Sequence, residues 1–186
     1  RLRKRGMEMR KLLAVILIMA IGLTLFGCSS DPAKDFVSED LVTMEQLNTE
    51  GRYVASGYLE SLFLNNRAMF NSCFPEGYVE DLEKVAGGDV FEQFTATTAI
   101  GGDFLGAATT DHRDVTINNG YDVATFRSQI CRVANCEYSD IGNIQIQKVQ
   151  VLYMNSKAKM IADFYLTVYE IDGTWYMYEL WSIKGF

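Results

Sequence analysis

The chain has 186 residues, with 17 Lys and Arg against 24 Asp and Glu, for a formal net charge of −7. An acidic balance of this kind repels nucleic acid and anionic lipid headgroups, so neither is an expected partner. Hydrophobic residues make up 48% of the sequence, enough for one domain with a packed core.

Arg1, Arg3, Lys4, Arg5, Arg10 and Lys11 open the chain, and an apolar run from Leu12 to Phe26 follows. The sequence then turns polar at Ser29-Ser30-Asp31. This is the layout of a secretory signal peptide, and the run is short for crossing ~30 Å of hydrocarbon, which takes about 20 residues. Leu25-Phe26-Gly27-Cys28 resembles the lipobox of bacterial lipoproteins, although Phe26 stands where a small residue is usual. The resemblance implies cleavage before Cys28, a diacylglycerol thioether on its sulfur, and a lipid-anchored place on the outer side of a cell membrane. Removing residues 1–27 leaves 159 residues with 11 basic and 23 acidic side chains, a net charge near −12.

Residues 28–48 read as a lipidated tether, polar and with little apolar periodicity, and a single domain is expected over 49–186. Val54, Tyr58, Leu59, Leu62 and Phe63 recur at helical spacing from Glu50 onward, up to the break at Asn65-Asn66. A second helix runs from Arg67 to Cys73 and stops at Phe74-Pro75; a third covers Tyr78 to Val85 and is closed by Gly87-Gly88. Asp89 can cap a fourth, with Val90, Phe91 and Phe94 inward. The Gly- and Thr-rich stretch 100–110 reads as a loop, and Val115 with Ile117 as a short strand. Asp122 then caps an amphipathic helix with Val123, Phe126, Ile130 and Val133 on its inner face.

The last third reads as a sheet. Ile144 and Ile146 alternate with glutamines, and the parity then flips to Val149, Val151 and Tyr153, which suggests a β-bulge near Gln147-Lys148. Asp172-Gly173 is a two-residue hairpin signal that pairs Val168 with Met177, Tyr169 with Tyr176 and Phe164 with Trp181. One hairpin face carries Phe164, Leu166, Val168, Trp175, Met177 and Trp181 and is the expected core. The other carries Tyr165, Tyr169, Tyr176 and Tyr178, an outer aromatic face suited to a homodimer or another partner, or a plain solvent face rich in strand formers. Glu179 falls in mid-strand on the core face.

The order of helices, a short strand, a helix and a three-strand antiparallel meander resembles the nuclear transport factor two-like superfamily, the cystatin-like cone. The residues that carry the likeness are Tyr58-Leu59-Glu60-Ser61-Leu62 ahead of an Asn turn, and the closing Asp172-Gly173-Thr174-Trp175-Tyr176. It implies an α+β fold with N-terminal helices packed on a curved antiparallel sheet. It also implies a pocket between them, for which Tyr58, Phe164, Trp175, Trp181 and Glu179 are the candidate lining. That scaffold hosts enzymes and non-enzymes alike.

Candidate chemistry is sparse. Asp111, His112 and Asp114 fit either a metal or acid–base group or a solvated start of a strand, and no metal or cofactor is expected from their spacing. Gly101-Gly102 and Gly106 lack the Lys-Ser/Thr of a phosphate loop, and the single His has no Cys near it in sequence. Cys131 and Cys136 can pair only if their helix ends between them; buried thiols are the alternative. The expectation is a lipid-anchored extracytoplasmic domain that binds a small molecule, peptide or protein without catalysis. A pocket enzyme of isomerase or dehydratase type using Glu179 as acid or base, and a structural envelope protein, are the alternatives.

Overall fold

The computed structural model describes residues 33–98, 102–155 and 158–178, so Cys28, Glu179 and Trp181 lie outside the described residues. Four helices come first: α1 (Gly51–Phe63), α2 (Arg67–Ser72), α3 (Tyr78–Ala86) and α4 (Val90–Thr98). Strand β1 (Gly102–Asp114) and helix α5 (Val123–Ala134) follow, and then β2 (Ile141–Asn155), β3 (Ala158–Ile171) and β4 (Thr174–Met177). The strands form one antiparallel sheet in the order β1-β2-β3-β4, which makes the domain α+β.

The helix boundaries follow from local chemistry. Asn65 takes φ 56°, which turns the chain so that Asn66 N–H donates to the Ser61 carbonyl at 2.8 Å. Asn66 then caps α2, its Oδ1 accepting from Met69 N–H at 3.1 Å. Asp89 opens α4 by accepting from Glu92 N–H at 2.8 Å and also pairs with Arg67 of α2. Asp122 opens α5 by accepting from Thr125 N–H at 3.1 Å.

The hairpin register is the one that the Asp172-Gly173 turn dictates: Val168 faces Met177, Tyr169 faces Tyr176, and Glu170 faces Trp175. Both turn residues have positive φ, 51° and 78°, which matches the right-handed twist of the strands.

Two expectations are corrected upstream. Residues 102–114 form the longest edge of the sheet rather than a loop, and Ile117 lies in a short 3-10 turn (Ile117–Asn119) rather than a strand. The small residues belong to a strand because another segment packs onto it. A Cβ at Gly106 would lie 2.2 Å from Ser38 Oγ. The bulge also sits elsewhere. β2 pairs with β3 without interruption from Ile144 to Asn155, and the shift opposite Lys148 and Val149 belongs to β1, between Thr109 and Asp111.

The parity flip along β2 has a different cause, because the sheet is buried on both faces, by different layers. Val149 and Val151 join Leu166, Val168 and Met177 in a core built with α1 to α4, whereas Ile144 and Ile146 join Phe126 and Ile130 of α5 in a second core. Tyr169 and Tyr178 belong to that second core, at 0% and 4% exposure, with Tyr165 and Tyr176 packed against it. The aromatic face expected to lie open for a homodimer or partner is therefore the inner wall of a core. The amphipathic stripe of α5 covers it.

The expected tether is corrected in the same way. Val42 and Leu47 are buried against α1, and a Cβ at Gly57 would meet Leu47 Cδ1 at 2.3 Å. Glu39 N–H donates to the Ala107 carbonyl of β1 at 2.9 Å, and Asn48 carbonyl accepts from Trp175 N–H of β4 at 3.0 Å. Residues 33–48 thus strap the fold, touching both outer strands of the sheet.

Candidate functional site

Helix α1 begins at a close approach to the sheet. A Cβ on Gly51 would lie 2.9 Å from Val168 Cγ2 and 3.0 Å from both Gln147 Nε2 and Trp175 Cε3, so only glycine lets the helix end sit this deep. The end is lightly capped: Glu50 offers no side-chain hydrogen bond to the first turn and instead accepts from Arg52 Nε at 2.8 Å. Between this helix end and the sheet lies a cleft of about 530 Å³, into which Gln145, Gln147, Trp175, Thr109, Asp111 and His112 also face.

A hydrogen-bond relay sets the polarity of the cleft floor. Asp114 Oδ1 accepts from Gln145 Nε2 at 3.0 Å, and Gln145 Oε1 accepts from Gln147 Nε2 at 2.8 Å. A carboxylate only accepts, so it fixes which way both amides point. The relay therefore ends in Gln147 Oε1, an acceptor that has no protein partner among the described residues. Gln147 as a whole is only 3% exposed, and the part of it that reaches solvent lines the cleft, where a donor from outside the chain can meet it. His112 is the register partner of Gln147 on β1 and stands exposed at the rim.

The relay was not visible as a motif. Gln145 and Gln147 appear in sequence as the polar half of an alternating strand, the ordinary solvent face. The available signal was the pairing with β1, which sets His112 and Asp114 beside them.

Of the candidate lining, Trp175 alone among the described residues faces this cleft. Tyr58 is core: it is 3% exposed and packs on Phe70 and Phe74, with ring centroids 5.8 Å and 5.9 Å away, and burial raises its hydroxyl pKa. Phe164 is half-buried against the same core. Asp111, His112 and Asp114 do not gather, and no three His, Cys, Asp or Glu among the described residues are placed to hold a metal. Tyr165 lies beside Lys148, whose ammonium sits 5.8 Å from its ring, and Tyr176 lines a second cleft of about 420 Å³ near Asn71 and Phe74.

The buried acid of the described residues is Glu60 on α1, at 3% exposure. Its Oε2 accepts from Val42 N–H of the strap at 2.9 Å. Burial pushes its carboxyl up to about 7, with nearby Glu39 adding to the rise and the Val42 hydrogen bond opposing it. The sequence signal lay on the side of α1 near Glu60, where Gly57 and Ser61 are small rather than charged. A face of that kind admits a second packing layer.

The chain matches no family model, no curated protein and no solved structure.

Proposed function

We propose that this is a lipid-anchored extracytoplasmic binding domain of the nuclear transport factor two-like cone type, which holds a small polar molecule or a short peptide at the α1 cleft without transforming it. The observation that carries the reading is the relay from Asp114 through Gln145 to Gln147. It holds an oriented acceptor, Gln147 Oε1, in a cleft that Trp175 also lines, and such a pair suits a donor-rich ligand that also packs on the indole. The leader and lipobox support the address, and the packing of α1 across the sheet supports the cone. The cleft is open and polar, which favours recognition through hydrogen bonds over exclusion of water for chemistry.

Two probes test it on the full-length protein in detergent: triglycine, rich in amide donors, and N-acetylglucosamine, rich in hydroxyl donors. The expected result is that at least one shifts the Gln147 side-chain amide and the Trp175 indole resonances, and that Gln147→Leu abolishes the shift. Unmoved resonances with both probes at millimolar concentration would overturn the reading.

A further inference from the structure

Helix α5 ends in a way that brings two cysteines together. Asn135 takes the left-handed conformation, φ 51°, and the next residue folds back so that Cys136 N–H donates to the Cys131 carbonyl at 3.3 Å. This is the six-to-one hydrogen bond of a helix C-cap, in which the side chains at its two ends normally make an apolar contact. Here both of those side chains are thiols, free in this structure, and burial together with the neighbouring Cys131 thiol raises the pKa of Cys136. The condition that the sequence set for a bridge, a helix ending between the two cysteines, is met.

We propose that Cys131 and Cys136 form a disulfide in the exported protein, stapling the C-terminus of α5. Both thiols are half-buried and reachable, whereas Cys73 is wholly buried in the other core and cannot compete for either. A bridge needs Cα atoms about 4.4–6.8 Å apart, and the fold-back across left-handed Asn135 brings the two residues together through the bond from Cys136 N–H to the Cys131 carbonyl. The oxidant is an external disulfide, either a small molecule or a thiol–disulfide oxidoreductase. One protein thiolate attacks it, releasing one external thiol and leaving a mixed disulfide. The second protein thiolate then attacks the protein sulfur of that bond, which forms the Cys131–Cys136 bond and releases the other external thiol. Two protein thiols lose two electrons and two protons; the external disulfide gains both as two thiols.

The position gives the bridge a role. Arg127, one turn before Cys131, donates to the Ile141 carbonyl at 2.6 Å and the Gly142 carbonyl at 3.0 Å, where β2 begins. The bridge would fix the far end of that clamp, and with it the helix that covers Tyr169 and Tyr178. Geometry alone carries the pairing; its occurrence in the cell also rests on export to an oxidising compartment.

Arg132 lies between the cysteines, so trypsin reports the bond directly. Protein extracted from membranes with an alkylating agent present from lysis is denatured, digested and weighed. The expected product joins peptides 128–132 and 133–148 and separates on reduction, while Cys73 is alkylated on its own. Free, alkylated Cys131 and Cys136, or a bridge to Cys73, would overturn the proposal. A second arm uses purified full-length protein poised with oxidised glutathione. Closure should slow hydrogen exchange at Asn135 and Cys136 by about tenfold or more, and Cys136→Ser should show no such change. Unchanged exchange on oxidation of the wild-type protein would equally sink it.

Discussion

Glu60→Gln isolates one buried proton. The carboxyl sits near pKa 7 in the folded chain instead of its ordinary 4.5, chiefly because burial penalises its charged form. A folded state that holds a proton more tightly than the unfolded one is favoured only while the proton is bound. Below about pH 4.5 both states carry it and Glu60 contributes nothing to the balance. As the pH rises toward 7 the unfolded chain ionises first, so stability falls, and the loss is complete once the folded carboxyl ionises too. At 1.36 kcal/mol per pKa unit the ceiling is about 3 kcal/mol. Screening and local relaxation reduce it to on the order of 1–2 kcal/mol. Glutamine keeps an oxygen for the Val42 N–H and cannot ionise. Thermal melts of wild type and Glu60→Gln at about pH 5 and pH 8 should therefore diverge, the variant gaining about 3–6 °C relative to wild type at the higher pH. Glu60→Ala should instead lose about 2 kcal/mol at both, because Val42 N–H is left without its acceptor. Parallel pH profiles for wild type and Glu60→Gln would refute the account of burial.

Gly51→Ala should destabilise the domain by about 1–3 kcal/mol in chemical denaturation, because its Cβ meets Val168, Gln147 and Trp175 together. Asn48→Ala should cost about 1–3 kcal/mol in the same assay, since Asn48 Nδ2 donates to the Ser72 carbonyl at 3.0 Å and the Trp175 carbonyl at 2.7 Å. Cys28→Ala should move the protein out of the detergent phase on partitioning; unchanged partitioning would speak for an uncleaved apolar anchor. Asp122→Ala should cost about 1 kcal/mol and fray the first turn of α5 in hydrogen exchange.

The β3–β4 hairpin was legible because its determinants are local: two turn residues fix the register, and period-two alternation then sorts each side chain to a face. What alternation cannot say is what covers each face. Tyr169 and Tyr178 read as outward, and so they are relative to α1, yet α5 lies over them. Ile144 and Val149 carry the same lesson, since one strand serves two cores and its parity flips without a bulge. β1 was missed because Gly102, Gly106, Ala107 and Ala108 have weak strand preference and owe their place to neighbours distant in sequence. Glu60 and Gln147 were passed over for a related reason. Each is an ordinary polar residue by type, and only tertiary packing removes it from water.

The strap has a consequence for how copies of the domain behave together. A sheet edge left bare is a template on which another chain can add a strand. Here Glu39 occupies part of the β1 edge, while Asn48 and the Cys73 carbonyl take the Trp175 and Met177 amides of β4. Cutting the protein at residue 49, where the polar sequence suggests a domain start, would strip Glu39 and Asn48 from those edges and leave α1 around Gly57, and Met69 beside it, without the cover of Val42 and Leu47. A shortened form of this kind is expected to aggregate even if its helices and strands still form. Under the proposed lipid anchor, tethering would crowd molecules side by side, and the strap would then work as insulation against edge-to-edge pairing.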